Sequence, residues 1–172
     1  MSSIRPNNSL TQSRLRELFI YDSCSGIFTR RVRVSNQPAG TIAGNPDSKG
    51  YIQISVDGRR YLAHRLAWFY AYGKLPQTEI DHINRRRDDN SLPNLRLSTR
   101  AQNCQNAALR RDNTSGLKGV SWNKLRKKWQ AFIYNNKKLL HLGYFDCATA
   151  AAVVVARKRN ELHGVFGCNG YE

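Results

Sequence analysis

Between Ile80 and Asn103 the chain reads IDHINRRRDDNSLPNLRLSTRAQN, and few folds can absorb that composition. Three acids, a histidine, three consecutive arginines and four asparagines surround two short apolar runs. The stretch is too polar for a core and well suited to holding a cation against a phosphate. Glu79 to Ile83 is a short β-prone run. Asn84 to Pro93 is a loop, in which Arg85, Arg86 and Arg87 lead to Asp88, Asp89 and Asn90, with Ser91 and Pro93 as breakers. Leu95 to Leu97 is a second short strand. Ser98 is then expected to cap a helix running from Thr99 to about Ala108. The segment thus predicts strand, loop, strand and helix in quick succession, with Asp81 and His82 on one arm and Asn103 about one turn into the helix.

The sequence before this segment predicts a scaffold. Met1 to Asn8 is polar and reads as frayed. Leu10 to Tyr21 carries Leu15, Leu18 and Phe19 at helical spacing behind Thr11, a helix with its N-cap. A turn over Asp22 to Gly26 precedes a strand or irregular hairpin from Ile27 to Ser35, then a Gly- and Pro-rich loop. Gly50 to Val56 alternates as a half-buried strand, Asp57-Gly58 signals a hairpin turn, and Arg59 to Leu62 is the return strand. Ala63 to Tyr72 is an apolar helix stopped by Gly73 and Pro76. His64, at its start, reads as structural before an accessory polar group near the site. Arg30, Arg31, Arg33, Arg59 and Arg60 are either phosphate contacts or a solvated positive surface.

A second module follows. Leu109 to Gly116 is polar, basic and turn-rich, as a linker would be. Strand signals cover Gly119 to Trp122, Lys128 to Tyr134 and Lys138 to Leu142, with Asn135-Asn136 as the tight turn between the last two. Thr149 to His163 has an Ala/Val-rich middle suited to lie on a small sheet, and Gly164 ends it.

Charge narrows the functional classes. The chain of 172 residues holds 28 Lys and Arg against 12 acids, a formal +16, for a pI near 10.3. A field of that sign recruits polyanions, nucleic acid first among them. From Arg110 to His141 nine Lys and Arg face one acid, Asp112, so half of the excess sits in under a fifth of the length. No basic amphipathic helix offers an apolar face to a membrane, and the run Ala148 to Ala156 is too short to cross one. Secretion is not expected, since no charged start leads into an apolar stretch with a small-residue cleavage site. Cys24, Cys104, Cys147 and Cys168 are scattered without a C-x-x-C spacing, which argues against structural zinc and for a reducing compartment.

On these residues the central segment resembles the HNH, or ββα-metal, motif of phage-type homing endonucleases, in the variant whose last histidine is replaced by asparagine. Asp81-His82 matches the first element, Asn94 the middle one and Asn103 the last. Tyr61 to Tyr70, YLAHRLAWFY, matches the segment that leads into the motif. The resemblance implies a DNA endonuclease in which His82 is the general base and Asp81 and Asn103 hold a divalent cation. Asn94 would brace the loop and orient His82. The residue types suit these roles. An imidazole titrating at about 6.5 accepts a proton at neutral pH, and a hard cation takes one or two protein oxygens and fills its shell with water and phosphate. Mg²⁺ is expected, with Mn²⁺ as the alternative, and no zinc.

The second module is similar to the AP2 DNA-binding domain. The matching residues are Ser115-Gly116-x-Lys118-Gly119-Val120, Trp129-x-Ala131-x-Ile133, Leu142-Gly143-x-Phe145 and Glu161-Leu162-His163-Gly164. In that family the exposed sheet face enters the major groove. Alignment makes Lys118, Ser121, Asn123, Gln130, Phe132, Tyr134, Leu139 and His141 the outward positions, with Trp129, Ala131 and Ile133 facing the helix. Ser121, Phe132, Tyr134 and Leu139 stand where well-known plant members carry arginine. Aromatic, polar and phosphate contacts are therefore expected rather than specific guanine contacts.

The expected architecture is α+β. A nuclease domain spans residues 1–108, its motif core 78–108 presented by an N-terminal α/β scaffold. A linker covers 109–116, and an AP2-like three-stranded antiparallel sheet on one helix covers 117–172. The expected partner is double-stranded DNA, with no membrane and no small-molecule substrate. The chain is expected to act as a monomer in the cytoplasm of a bacterial host or phage-infected cell, associated with the nucleoid. The alternatives are a non-catalytic DNA-binding regulator that keeps the HNH fold, and an RNA-binding protein, for which no RNP-like or KH-type motif speaks.

Overall fold

A computed structural model describes residues 10–170, and the chain divides into two compact units, residues 1–97 and 98–172. The expected frayed start, Met1 to Asn8, lies outside the described residues.

In the first unit the Thr11 side chain caps α1 (Gln12–Leu18), accepting from the Arg14 N–H at 3.1 Å. The helix is shorter than expected. Phe19 turns extended at φ −135°, and Phe19–Tyr21 becomes β1, antiparallel to β2 (Phe28–Arg30). Phe19 and Tyr21 are buried while Ile20 between them is exposed. That period of two suits three adjacent β-prone residues, and a helix cannot satisfy it. Inside the expected loop, Asn45–Pro46 forms β3, paired with β4 (Ile52–Val56). The predicted hairpin joins β4 to β5 (Arg59–Leu62), closed by Asp57 and Gly58 at φ 46° and 80°, the backbone of a type I′ turn.

The apolar helix is α2 (Ala63–Tyr72), stopped by Gly73 in the left-handed region at φ 72°. Its buried Ala63, Leu66, Ala67 and Phe69 share one core with Leu15, Leu18, Phe28, Ile54 and Val56. The same core takes in Ile80 of β6 (Glu79–His82) and Leu95 of β7 (Leu95–Ser98), which pair with each other. Each buried aliphatic there contributes about 1.5–3 kcal/mol. The two strands of the central segment are therefore anchored by the scaffold, one apolar residue apiece.

In the second unit, α3 (Arg100–Gln105) begins on Thr99, and Gln102 completes a capping box with it. Ser98, the expected cap, is the buried last residue of β7. β8 (Val120–Asn123), β9 (Lys128–Asn135) and β10 (Lys138–Phe145) form an antiparallel sheet in the order β10-β9-β8. α4 (Ala148–His163) buries Ala151 and Val155 against Val120, Ala131 and Ile133. The β9–β10 turn lies one residue later than expected, on Asn136 and Lys137 at φ 48° and 64°. A bulge between His141 and Gly143 shifts the alternation, so that Phe145 joins Leu142 on the helix side. The fold class is the expected α+β, and no helix of the described residues is long and apolar enough to cross a membrane.

Candidate active site

The loop between β6 and β7 is held by its own carboxamides. Asn94 ends a 3₁₀ turn (Leu92–Asn94) and is buried. Its Oδ1 accepts from the Asn84 N–H at 2.9 Å, and its Nδ2 donates to the Asp89 carbonyl at 2.8 Å. One side chain thus ties Asn84, near the start of the loop, to Asp89. Asp89 adds a second brace, accepting from Asn84 Nδ2 and Ser91 Oγ, each at 2.6 Å. These bonds keep its carboxyl below the usual carboxylate range, that to Ser91 contributing most. The scaffold grips the far end of the loop: Tyr21 Oη donates to the Asn90 carbonyl at 2.8 Å, and Leu92 N–H donates to Ser23 O at 2.9 Å.

Asp81 and His82 sit side by side at the end of β6, 4% and 5% exposed. The imidazole Nε2 faces Asn90 Oδ1 at 3.4 Å. Asn90 Nδ2 donates to the Asp88 carbonyl at 3.0 Å, which settles which end of the amide is oxygen. An acceptor at Nε2 requires a proton there, so in the neutral ring the lone pair lies on Nδ1. Burial lowers the affinity of the ring for a second proton, opposed by Asn90 and Asp81. Asp81 is paired with Arg96 of β7, whose Nε and Nη2 both reach Oδ2, at 2.8 and 2.6 Å.

Asn90, Arg96 and Tyr51 are not among the site residues expected from sequence. Asn94 braces the loop, but the hydrogen bond to His82 comes from Asn90 instead. Each loop carboxamide can bond to whatever the turn presents, and spacing alone does not assign the partner. Arg96 had one signal, since a strand acid next to a core position needs a nearby cation, and Arg96 stands between two leucines on the paired strand. His64, structural or accessory from sequence, packs its ring against that of His82 with centroids 5.0 Å apart. Tyr51 lies 5.5 Å from His64 and 6.0 Å from His82, and Arg87 stacks over the Tyr51 ring at 5.0 Å.

The remaining expected residues belong to the second unit. Asn103 is half-buried on α3, its backbone N–H donating to Thr99 O at 3.0 Å. Strand register places Ser121, Asn123, Gln130, Phe132, Tyr134, Leu139 and His141 on the sheet face opposite α4. Tyr134 and Leu139 pair across the strands and are 62% and 50% exposed. Lys118 is different. Its ammonium donates to the Gln105 and Ala107 carbonyls at 3.1 and 2.5 Å, closing the end of α3 rather than extending the sheet face.

Among the described residues no cluster of three or more His, Cys, Asp or Glu is placed to hold a metal. A hydrated Mg²⁺ asks for less, one or two carboxylates with waters and substrate oxygens making up six positions. The donor chemistry of Asp81 fits that demand. Arg96 bonds through Oδ2, and a carboxylate offers about four acceptor positions over its two oxygens.

Comparison with known proteins follows the same residues. A family model described as HNH endonuclease matches residues 61–105, from β5 through α3. Protein 3.8 of Escherichia phage T7 is 35% identical over 119 residues, which is 69% of this chain and 95% of the phage protein. No solved structure matches the chain significantly.

Proposed function

The chain belongs to the HNH endonuclease family, and we propose that it is a metal-dependent endonuclease of homing type that hydrolyses phosphodiester bonds in duplex DNA. The observation that carries this reading is the buried His82 beside Asp81, with Asn90 at Nε2 leaving Nδ1 as the basic nitrogen. His82 takes the proton of the attacking water, at Nδ1. Asp81 and Asn103 would hold a divalent cation, Mg²⁺ before Mn²⁺, and its chemistry there would be to offset the charge developing on the phosphoryl group and the leaving 3′ oxygen. Asn94 keeps the loop, and with it Asn90, in the shape that aims the imidazole. Arg96 fixes the Asp81 carboxylate by a charge-assisted bond.

We assign residues 1–108 to cutting, 109–116 to a linker and 117–172 to holding the substrate. The three-stranded sheet on one helix supports an AP2-like module. In that module Ser121, Asn123, Gln130, Phe132, Tyr134, Leu139 and His141 lie toward the major groove, where a thin β structure fits. Tethering raises the local concentration of the cutter near the bound site, so neither part has to bind tightly alone. One such site in a monomer nicks a single strand.

The second reading is a DNA-binding regulator that keeps the fold without turnover. The Asp81–Arg96 pair favours it, because a guanidinium already neutralises the carboxylate. Mg²⁺-dependent nicking of supercoiled plasmid by the wild type and by His82→Ala separates the two. The endonuclease reading expects a loss of about 10²–10⁴-fold on removing the base, with duplex binding retained. Equal inertness of both proteins across metals and DNA sequences sinks it in favour of the regulator.

A further inference from the structure

None of the three strands β8, β9 and β10 contains an arginine. The turn between β8 and β9 brings one to the sheet face opposite α4, where the Arg126 guanidinium carbon lies 4.7 Å from the centre of the Tyr144 ring. Tyr144 is on that face because of the bulge in β10. Straight alternation from Leu140, which pairs with the core residue Ile133, would turn Tyr144 toward α4; the shift between His141 and Gly143 pairs it with Gln130 instead. The His141 ring packs against that of Tyr144, centroids 4.5 Å apart. The turn is fixed as well. Asn123 Oδ1 accepts from the Arg126 N–H at 2.9 Å, and Lys127 lies in the left-handed region at φ 51°. Arg126 is thus held at its backbone and at its guanidinium, yet it is exposed. Among the described residues the guanidinium has that ring contact and no hydrogen-bond or ion-pair partner.

A guanidinium offers five donors in a planar fork and no acceptor, so it matches two acceptors side by side. In the major groove only guanine presents such a pair, O6 and N7; adenine and cytosine each show a donor and thymine a methyl group. We propose that Arg126, held on Tyr144, is a specificity-determining residue that reads one guanine in the major groove. This rests on the reading of the exposed sheet face as the one that meets duplex DNA. The ring restrains the side chain before binding, so less rotamer freedom is lost when the fork closes on the base. A phosphate accepts charge from many directions and needs no such platform, and Lys124 and Lys127 of the same exposed turn bring charge to the backbone.

The test selects bound duplexes from a randomised pool with the full chain, in chelator so that nothing is cut. Wild type, Arg126→Lys, Tyr144→Leu and Tyr144→Phe are compared, with thermal unfolding of each. The wild type should enrich a site with guanine at one fixed position. Arg126→Lys keeps the charge and loses the fork. Its discrimination at that position should fall by about five- to 150-fold, with the other positions and the affinity for random duplex unchanged. Tyr144→Leu should relax the same position in part, and Tyr144→Phe, which keeps the ring, should not. Putting 7-deazaguanine, which lacks the N7 acceptor, at that position should weaken binding by the wild type and leave Arg126→Lys unaffected. An unchanged enriched site in Arg126→Lys overturns the proposal and leaves the sheet face as the DNA contact. Weaker binding of Arg126→Lys to every sequence also overturns it and makes Arg126 a phosphate contact. If the wild type enriches no site at all, the guanine reader and the reading of the face fall together.

Discussion

At the scale of single residues, burial controls the charge of the histidines. Desolvation pushes His64 down to about 3, and the neighbouring His82 of β6 and Arg65 of α2 add like-charge repulsion, while the Tyr51 ring faces it without charge. The unfolded chain takes up a proton on this imidazole below about 6.5, and the native state refuses it until near pH 3. The unfolded state therefore binds more protons throughout that window. Stability contributed by the neutral ring is complete above pH 6.5 and is lost as pH falls, at up to ~1.4 kcal/mol per unit. Urea unfolding from pH 7 to pH 4.5 should show this slope, and His64→Phe should flatten it; an unchanged slope in the variant would place the proton uptake elsewhere. Asp81 and Arg96 make a second residue-scale case. Arg96→Ala strands a carboxylate that is 4% exposed, and stranding a buried charge costs about 3–5 kcal/mol. A loss well under ~1 kcal/mol by urea unfolding would mean that solvent already shields Asp81.

At the scale of elements, the site is a loop clamped between a scaffold turn and two short strands. Gly26 lies at φ 75°, and a Cβ there would fall 2.3 Å from both Asn90 C and Ser91 N. Backbone conformation and backbone contact both forbid a side chain. Gly26→Ala should therefore destabilise the protein by more than ~1 kcal/mol and slow cleavage beyond what stability explains, because Asn90 must move; equal Tm and rate would refute this. Asn94→Ala leaves the Asn84 N–H and the Asp89 carbonyl without their partner, worth about 1–3 kcal/mol where buried, and should open the loop to amide hydrogen exchange. The element pattern shows what local sequence can and cannot resolve. Thr11, the Asp57-Gly58 turn and Gly73 act through the backbone conformations they impose, so their elements follow from sequence. Phe19 to Tyr21 has no such marker, and only its pairing with Phe28 to Arg30 decides strand over helix.

For the whole molecule, the +16 charge is the dominant long-range term. Each phosphate neutralised by Lys or Arg releases condensed counterions. Duplex affinity should thus fall steeply with salt, with a log–log slope of several units measured by titration from low to moderate ionic strength, and a flat response would remove the electrostatic argument for nucleic acid. The exposed sheet face makes a separate prediction. Tyr134→Ser and His141→Ala should each weaken site selection by about 1–3 kcal/mol while sparing nonspecific nicking at high protein and low salt. Uniform weakening on all sequences would assign these residues to phosphate contact.

The amino-acid order alone determined the polar cassette from Asp81 to Asn103, the hairpin and the helix that lead into it, the basic excess and the alternation of the second sheet. Each is a local pattern or a sum over residues, so no tertiary information is required. Tertiary structure decided the identity of the partners. Asn90 rather than Asn94 meets His82, Arg96 is the cation on Asp81, the buried His64 ring packs against that of His82, and Lys118 turns to α3 instead of the sheet face. A buried polar atom bonds to whatever the fold brings within about 3 Å, and that neighbour is set by strands and loops meeting from distant parts of the chain.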